Sequence, residues 1–215
     1  MGSKKTIVRI SRYKNALYRF KTLGLNRVFS DNLAEAVGVT SAQVRKDFSI
    51  FGIMGNKRGG YQIDELIGQL NEVLGKHDIC KVIIVGMGNI GSALIRYKGF
   101  EKESIDIIAG FDNDYSRLAP HAPIPIYHID TMEEFIKKNK VTIGIIAVPD
   151  MVAQQVMDRM AAAGIRGVLN FAPIRLQAPE DCFLNSVNLV PELESVIYFS
   201  SNNAARDKKN GKKSG

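Results

Sequence analysis

The chain has 215 residues, 45% of them hydrophobic and 24% charged, with a formal net charge of +7. That length suits two modest domains, and no apolar run approaches the roughly 20 residues that a membrane-spanning helix needs. Cys80 and Cys182 stand far apart in apolar surroundings, without the paired spacing of metal or redox motifs, and are expected to be buried thiols with no metal site. Lys4, Lys5 and Arg9 are followed by no apolar block, so the N-terminus does not read as a secretion signal and a cytoplasmic location is expected.

Charge is unevenly placed. Residues 1–62 carry twelve Lys/Arg against three Asp/Glu, residues 63–205 twelve against eighteen, and residues 206–215 five against one. A basic first third on an acidic body suggests one module that meets a polyanion and another with a different task.

In chain order, SDNLAEAVGVTSAQVRKDFSIFG predicts two short helices around a turn at Gly38. Ser30 or Asp31 would cap the first, whose apolar face is Leu33, Ala34 and Val37; the second starts at Thr40 or Ser41. Its inward face is Val44, Phe48 and Phe51, leaving Gln43, Arg45, Lys46 and Ser49 facing outward. This is the pattern of a helix-turn-helix with a basic second helix. The glycine-rich stretch IMGNKRGGYQID then reads as a short hairpin, a wing with Lys57 and Arg58 at its tip. A basic helix can enter a major groove while a basic wing lies along phosphates, which points to double-stranded DNA as a partner.

DELIGQLNEVLGKHD reads as a connecting helix, after which the period changes. Strands are expected at 81–85, 105–111, 124–127, 143–148 and 166–170, with helices over TMEEFIKKNK and DMVAQQVMDRMAAAG and a helix stop at Gly164. Apolar strands alternating with helices predict a parallel sheet covered on both faces. Within it, VIIVGMGNIGSAL places Gly86, Gly88 and Gly91 after a strand and at a helix start, the grammar of a dinucleotide's phosphate turn. Met87, Asn89 and Ile90 complete that turn. Asp112, ending the second strand, would accept hydrogen bonds from an adenosine ribose and repel a 2′-phosphate, favouring NAD(H). His77, His121 and His128 form no recognisable pair or triad, and no Y-x-x-x-K occurs, so an enzyme is not expected. The alternatives are an NAD-dependent oxidoreductase with an incidental basic head, and a nucleotide or acyl-CoA-binding module.

Taken together, VRKDFSIFG, GNKRGGY, VIIVGMGNIGSAL, IAVP and LNFAP, in this order and spacing, resemble the Rex family of bacterial redox-sensing transcriptional repressors over residues 6–200. The resemblance implies an α/β protein: a winged helix-turn-helix domain (1–78), a Rossmann-type parallel-sheet domain (79–190) and a domain-swapped C-terminal helix (191–206); the stretch RDKKNGKKSG lacks apolar periodicity, and a disordered basic tail is read over 207–215. The resemblance also implies a homodimer that binds palindromic operator DNA, with NADH weakening that binding and NAD+ permitting it. Carried over by position, Gln43, Arg45, Lys46, Lys57, Arg58, Gly59 and Tyr61 fall to DNA. The phosphate turn, Asp112, Tyr97, Pro149, Asn170, Phe171 and Pro173 fall to the cofactor, and Arg19, Tyr97 and Asn188 to the switch between states. Asn188 departs from the family's pattern, which commonly has Asp there.

Overall fold

The computed structural model describes residues 2–56, 59–76, 78–114, 116 and 122–211, with side chains as far as Ser201. Lys57, Arg58, His77 and His121 lie outside the described residues. The chain divides into two compact units, Met1–Ile79 and Cys80–Gly215.

The first unit packs four helices, α1 (Lys4–Thr22), α2 (Ser30–Val37), α3 (Ser41–Ile50) and α4 (Ile63–Val73). Ile10, Tyr13 and Leu17 of α1, Leu33 of α2, Val44 and Phe48 of α3, and Leu66 and Leu70 of α4 share one core. Those positions recur at three- and four-residue spacing, so each helix turns one apolar stripe inward. Gly38 ends α2 at φ 75°, a conformation that costs a residue with a Cβ. Thr40 caps α3, its Oγ1 accepting from Gln43 N at 3.1 Å. The cap expected for α2 differs: Ser30 is already helical, Phe29 holds the cap position, and Asn32 Oδ1 reaches back to accept from Phe29 N at 3.0 Å. Strands β1 (Arg27–Val28) and β2 (Tyr61–Gln62) pair antiparallel, and an Asn56–Gly60 bridge forms the base of the expected wing.

The second unit is a six-stranded parallel sheet, ordered β5-β4-β3-β6-β7-β8. Its strands are β3 (Cys80–Val85), β4 (Ile105–Asp112), β5 (Ile126–His128), β6 (Ile143–Ile146), β7 (Gly167–Asn170) and β8 (Phe183–Ser186). Ile83 and Val85 pack on one face with α6 (Met132–Asn139) and α7 (Asp150–Ala163), while Val82 and Ile84 pack on the other. Successive strand residues thus enter opposite cores, which explains the unbroken apolar runs. β6 stops two residues short of its expected end because Ala147 and Val148 leave the ladder for the cleft described below, although Ala147 N still donates to Val85 O at 2.8 Å. β8 was not expected, since FLNS lacks strand-like hydropathy; it is an edge strand, with Phe183 exposed. Cys182 is buried and burial pushes its thiol pKa up, but Cys80, at the sheet's rim, is only partly buried, against expectation.

The C-terminal helix α8 runs Leu189–Gly211, beyond residue 206, where a disordered tail was expected to begin. Nothing interrupts helix between Pro191 and Gly211, and Ala204, Ala205, Arg206, Lys208 and Lys209 favour it. Residues 212–215 lie outside the described residues. Pro191 sits in the first turn, where its missing N–H breaks no intrahelical bond. Among the described residues no helix is long and apolar enough to cross a membrane.

Candidate functional site

The sheet order creates a switch point. From β3 the chain steps outward to β4 and β5, then returns to place β6 on the other side of β3. Connections leaving β3 and β6 therefore diverge, opening a crevice at the carboxyl ends of the strands where such sheets hold ligands. A cleft of about 860 Å³ lies there, lined at one wall by Gly86, Gly88, Asn89 and Ile90, and at the other by Val148, Pro149, Met151 and Val152.

The glycines are required by close packing. Gly86 has φ 97°, and a Cβ on it would stand 2.4 Å from Ala147 O; a Cβ on Gly91 would stand 1.9 Å from Gly86 O. Helix α5 (Asn89–Leu94) is thus pressed against the turn, holding its first backbone N–H groups beside the cleft. Asp112, 6% exposed, locks the same turn: Oδ2 accepts from Met87 N at 2.6 Å and Oδ1 from Asp114 N at 2.9 Å. Asn113, Asp114, Ile129, Gln155, Val156 and Arg159 complete that end of the cleft.

Arg159 was missed by sequence reasoning. On α7 it follows Val152 and Val156 at helical spacing, the one legible sign that this face meets the cleft. Its Nε and Nη2 donate to the Glu133 carboxylate, and Nη2 also to Ile129 O at 3.1 Å. The Arg159 hydrogen bonds hold the Glu133 pKa below the usual carboxylate value.

Phe171 and Pro173 line the opposite end, as do Val148 and Pro149. Asn170 does not line the cleft. Fully buried, it accepts from Ala172 N at 2.9 Å and directs Nδ2 at Ala172 O, Ile174 O and Ser186 Oγ, each 3.2 Å away, and so shapes the loop that presents Phe171. Met87 and Gly91 also stand behind the lining, serving it through backbone packing. Tyr97, 61% exposed and edge-on to Phe100, is outside the cleft of its own protomer. His128 is likewise outside it, with Nδ1 3.2 Å from Asp130. Asn188 Oδ1 accepts from Val190 N at 3.1 Å, capping α8; Asn caps a helix about as well as Asp, so the departure from the family's residue is tolerated locally. Arg19 lies exposed on α1, in the other unit.

In the first unit, Arg45, Lys46 and Ser49 are exposed on α3, while Gly59 and Tyr61 belong to the wing's descending arm. Tyr61 packs edge-on against Phe48, tying the wing to the helix. Arg45, Tyr61 and Gly60 share one concave surface with Ser30 and Asp31. Arg27, not singled out by sequence, reaches the wing, with Nη1 3.4 Å from Gly59 O. Gln43, expected to face outward, is half-buried, and its Nε2 donates to Asp47 Oδ1 at 2.8 Å. Asp47 is fully buried and forms a bidentate pair with Arg9, Nε at 2.6 Å and Nη2 at 2.7 Å.

Burial pushes the Asp47 pKa up, but hydrogen bonds from Arg9, Gln43 and Tyr13 outweigh it and hold the carboxyl below its ordinary value. Burial and the bond to Asp47 push the Tyr13 phenol up to about 12. A depressed carboxylate pKa stabilises the fold above the unfolded-state value near pH 4, and the contribution is lost as pH falls from there through the folded-state value. Asp47→Asn is accordingly expected to cost the first unit about 2–3 kcal/mol at pH 7, less than a fully enclosed ion pair because Arg9 is partly exposed. Urea unfolding of both proteins should show the difference shrinking below about pH 4. A gap unchanged down to pH 2 would contradict the assignment.

A basic helix-turn-helix unit followed by a parallel α/β unit with a glycine-turn cleft defines a class: DNA-binding regulators with a nucleotide-type sensory module. Residues 3–49 match the family described as "Putative DNA-binding protein N-terminus", and residues 77–174 that described as "CoA binding domain". The chain is 40% identical to the redox-sensing transcriptional repressor Rex of Carboxydothermus hydrogenoformans over 90% of its length and 93% of that protein's. It is 38% identical to Rex of Streptococcus equi subsp. equi, over 93% and 95% respectively. The Rex-family repressor RSP, solved with β-NAD+ and operator DNA, superposes with a TM-score of 0.87 at 34% identity over 98% of both chains. RSP solved with β-NADH gives 0.85 at 33% identity, over 97% of this chain and 98% of RSP. The chain belongs to the Rex family of redox-sensing transcriptional repressors, and is a repressor rather than an enzyme.

Proposed function

We propose that this chain acts in the cytoplasm as a homodimeric repressor that holds a palindromic operator and releases it when NADH occupies the cleft of the second unit. The observation that carries this reading is the match along nearly the whole chain to a repressor solved with each ligand. The cleft supplies the physical means. Gly86, Gly88 and the start of α5 would hold the pyrophosphate, and Asp112 the adenosine ribose. The apolar end formed by Val148, Pro149, Phe171 and Pro173 would receive the nicotinamide. A dihydronicotinamide ring is neutral, whereas the oxidised ring carries a positive charge that apolar surroundings hold at a cost. Preference for NADH follows, at about tenfold in affinity for each ~1.4 kcal/mol. By linkage, NADH must weaken DNA binding by the factor by which DNA weakens NADH binding.

DNA would be held by Arg45 and Lys46 from α3, with Lys57, Arg58, Gly59 and Tyr61 of the wing along the backbone. In the dimer, α8 would be exchanged between protomers, and Arg19, Tyr97 and Asn188 would couple cofactor state to the DNA-binding units. Titration of a palindromic duplex pool with the protein, with and without each nucleotide, tests the whole reading: release is expected with NADH and not with NAD+. Release by neither would overturn it.

Cofactor choice is expected to rest on Asp112. Asp112→Ala should weaken NADH binding about tenfold or more and narrow the preference over NADPH, because the ribose acceptor, the phosphate-repelling charge and the brace on Met87 N disappear together. Calorimetry with both nucleotides measures this, and an unchanged ratio would move the ribose contact to Asn113 or Asp114.

A further inference from the structure

The ambiguity of a glutamine in a groove, able to donate or accept, is removed at Gln43 by what lies behind it. Asp47 is fully buried, and each of its oxygens takes two hydrogen bonds: Oδ2 from Arg9 Nε and Tyr13 OH, Oδ1 from Arg9 Nη2 and Gln43 Nε2. An ionised carboxylate only accepts, so the amide must turn its nitrogen toward Asp47. Flipping it would set Oε1 against the carboxylate and strip a buried charge of a donor. Oε1, on the other arm of the half-exposed amide, accepts nothing among the described residues. Gln43 also stands third in α3, in the first turn, and the first turns of recognition helices meet base edges.

We propose that Gln43 is a specificity-determining residue whose Oε1 accepts from an exocyclic amino group, so that the base it faces is adenine or cytosine and not guanine or thymine. The inference rests on the first unit being a DNA reader. In the major groove, adenine N6 and cytosine N4 donate at the place where guanine O6 and thymine O4 accept. An ordinary glutamine would adapt to either set by rotating its amide. Here rotation is opposed by Asp47, a positioning residue that Arg9 and Tyr13 hold in place and that bonds Gln43 directly. Such a device converts a buried ion pair, remote in sequence, into a choice between amino and keto bases.

The test uses the full-length protein with NAD+ and a pool of duplexes randomised over about twenty base pairs, followed by affinities for single-base-pair variants of the enriched duplex. One position in each half-site should prefer A or C over G or T by about tenfold. Gln43→Ala should abolish that preference while leaving the other positions as they were, and Gln43→Lys, whose ammonium only donates, should reverse it. Asp47→Asn should flatten the same position selectively; a uniform loss at every position would overturn the orienting role of Asp47. A Gln43-dependent position that prefers G or T, or none dependent on Gln43, would overturn the proposal. If the wild-type protein enriches no duplex, the DNA-binding reading itself fails, and this inference with it.

Discussion

Gly91→Ala is expected to abolish NADH-dependent release while leaving the first unit folded. The added methyl would stand 1.9 Å from Gly86 O, a backbone atom that cannot rotate away, so α5 must move outward from the turn. Overpacking of this kind costs roughly 1–3 kcal/mol in stability. The functional loss should be larger, because the displaced segment is the one that would present backbone N–H groups to the pyrophosphate in the proposed binding mode, and misplacement by about 1 Å can cost on the order of 100-fold. Gly68→Ala provides the contrast. That glycine lies exposed within α4 with nothing within 4 Å of a Cβ, so alanine should stabilise by about 0.4–1 kcal/mol. Thermal melts and NADH calorimetry on both variants separate the effects; Gly91→Ala with parental NADH affinity would refute the close-packing account.

The second large effect is expected on α8. Leu189, Val190, Leu193, Val196 and Ile197 recur at three- and four-residue spacing, and each is more than half exposed within the protomer, as are Tyr198 and Phe199. Burying one such side chain contributes roughly 1.5–3 kcal/mol, so a second copy of the chain has ample apolar surface to gain. Leu193→Asp/Ile197→Asp should therefore yield a monomer by sedimentation, with NADH-dependent release of DNA lost. Both positions are exposed in the protomer, which spares its core. A dimer surviving both charges would show that α8 does not hold the protomers together.

Within the head, short-range patterning was sufficient to read the helices, because core positions on α2 and α3 repeat at the helical period and Gly38 marks the only sharp reversal between them. The Arg9–Asp47 pair was not legible. The partners are separated by 38 residues, each looks like an ordinary surface charge, and only the packing of α1 on α3 brings them together. With that pair unseen, Gln43 could be placed on the correct face of its helix but not given an orientation.

The same division runs through the second unit. Gly86 and Gly91 were readable because a backbone turn packed this closely tolerates no Cβ, and that constraint is local; Asp112 was readable from its place at the end of the second strand. β8 was not, since an edge strand with one neighbour needs little hydrophobic alternation, nor were the bonds by which Asn170, read as a cofactor contact, shapes the loop that presents Phe171. Arg159 entered the cleft only when the crossover after β6 laid α7 beside α6, where Glu133 and Ile129 O hold its guanidinium. The sequence by itself determined the two units, most of their element types and the glycine turn, because periodicity and glycine requirements act over a few residues. Which charges are buried together, which face of α7 closes the cleft and which way an amide points were decided by tertiary structure, because those energies arise between residues that only the fold makes neighbours.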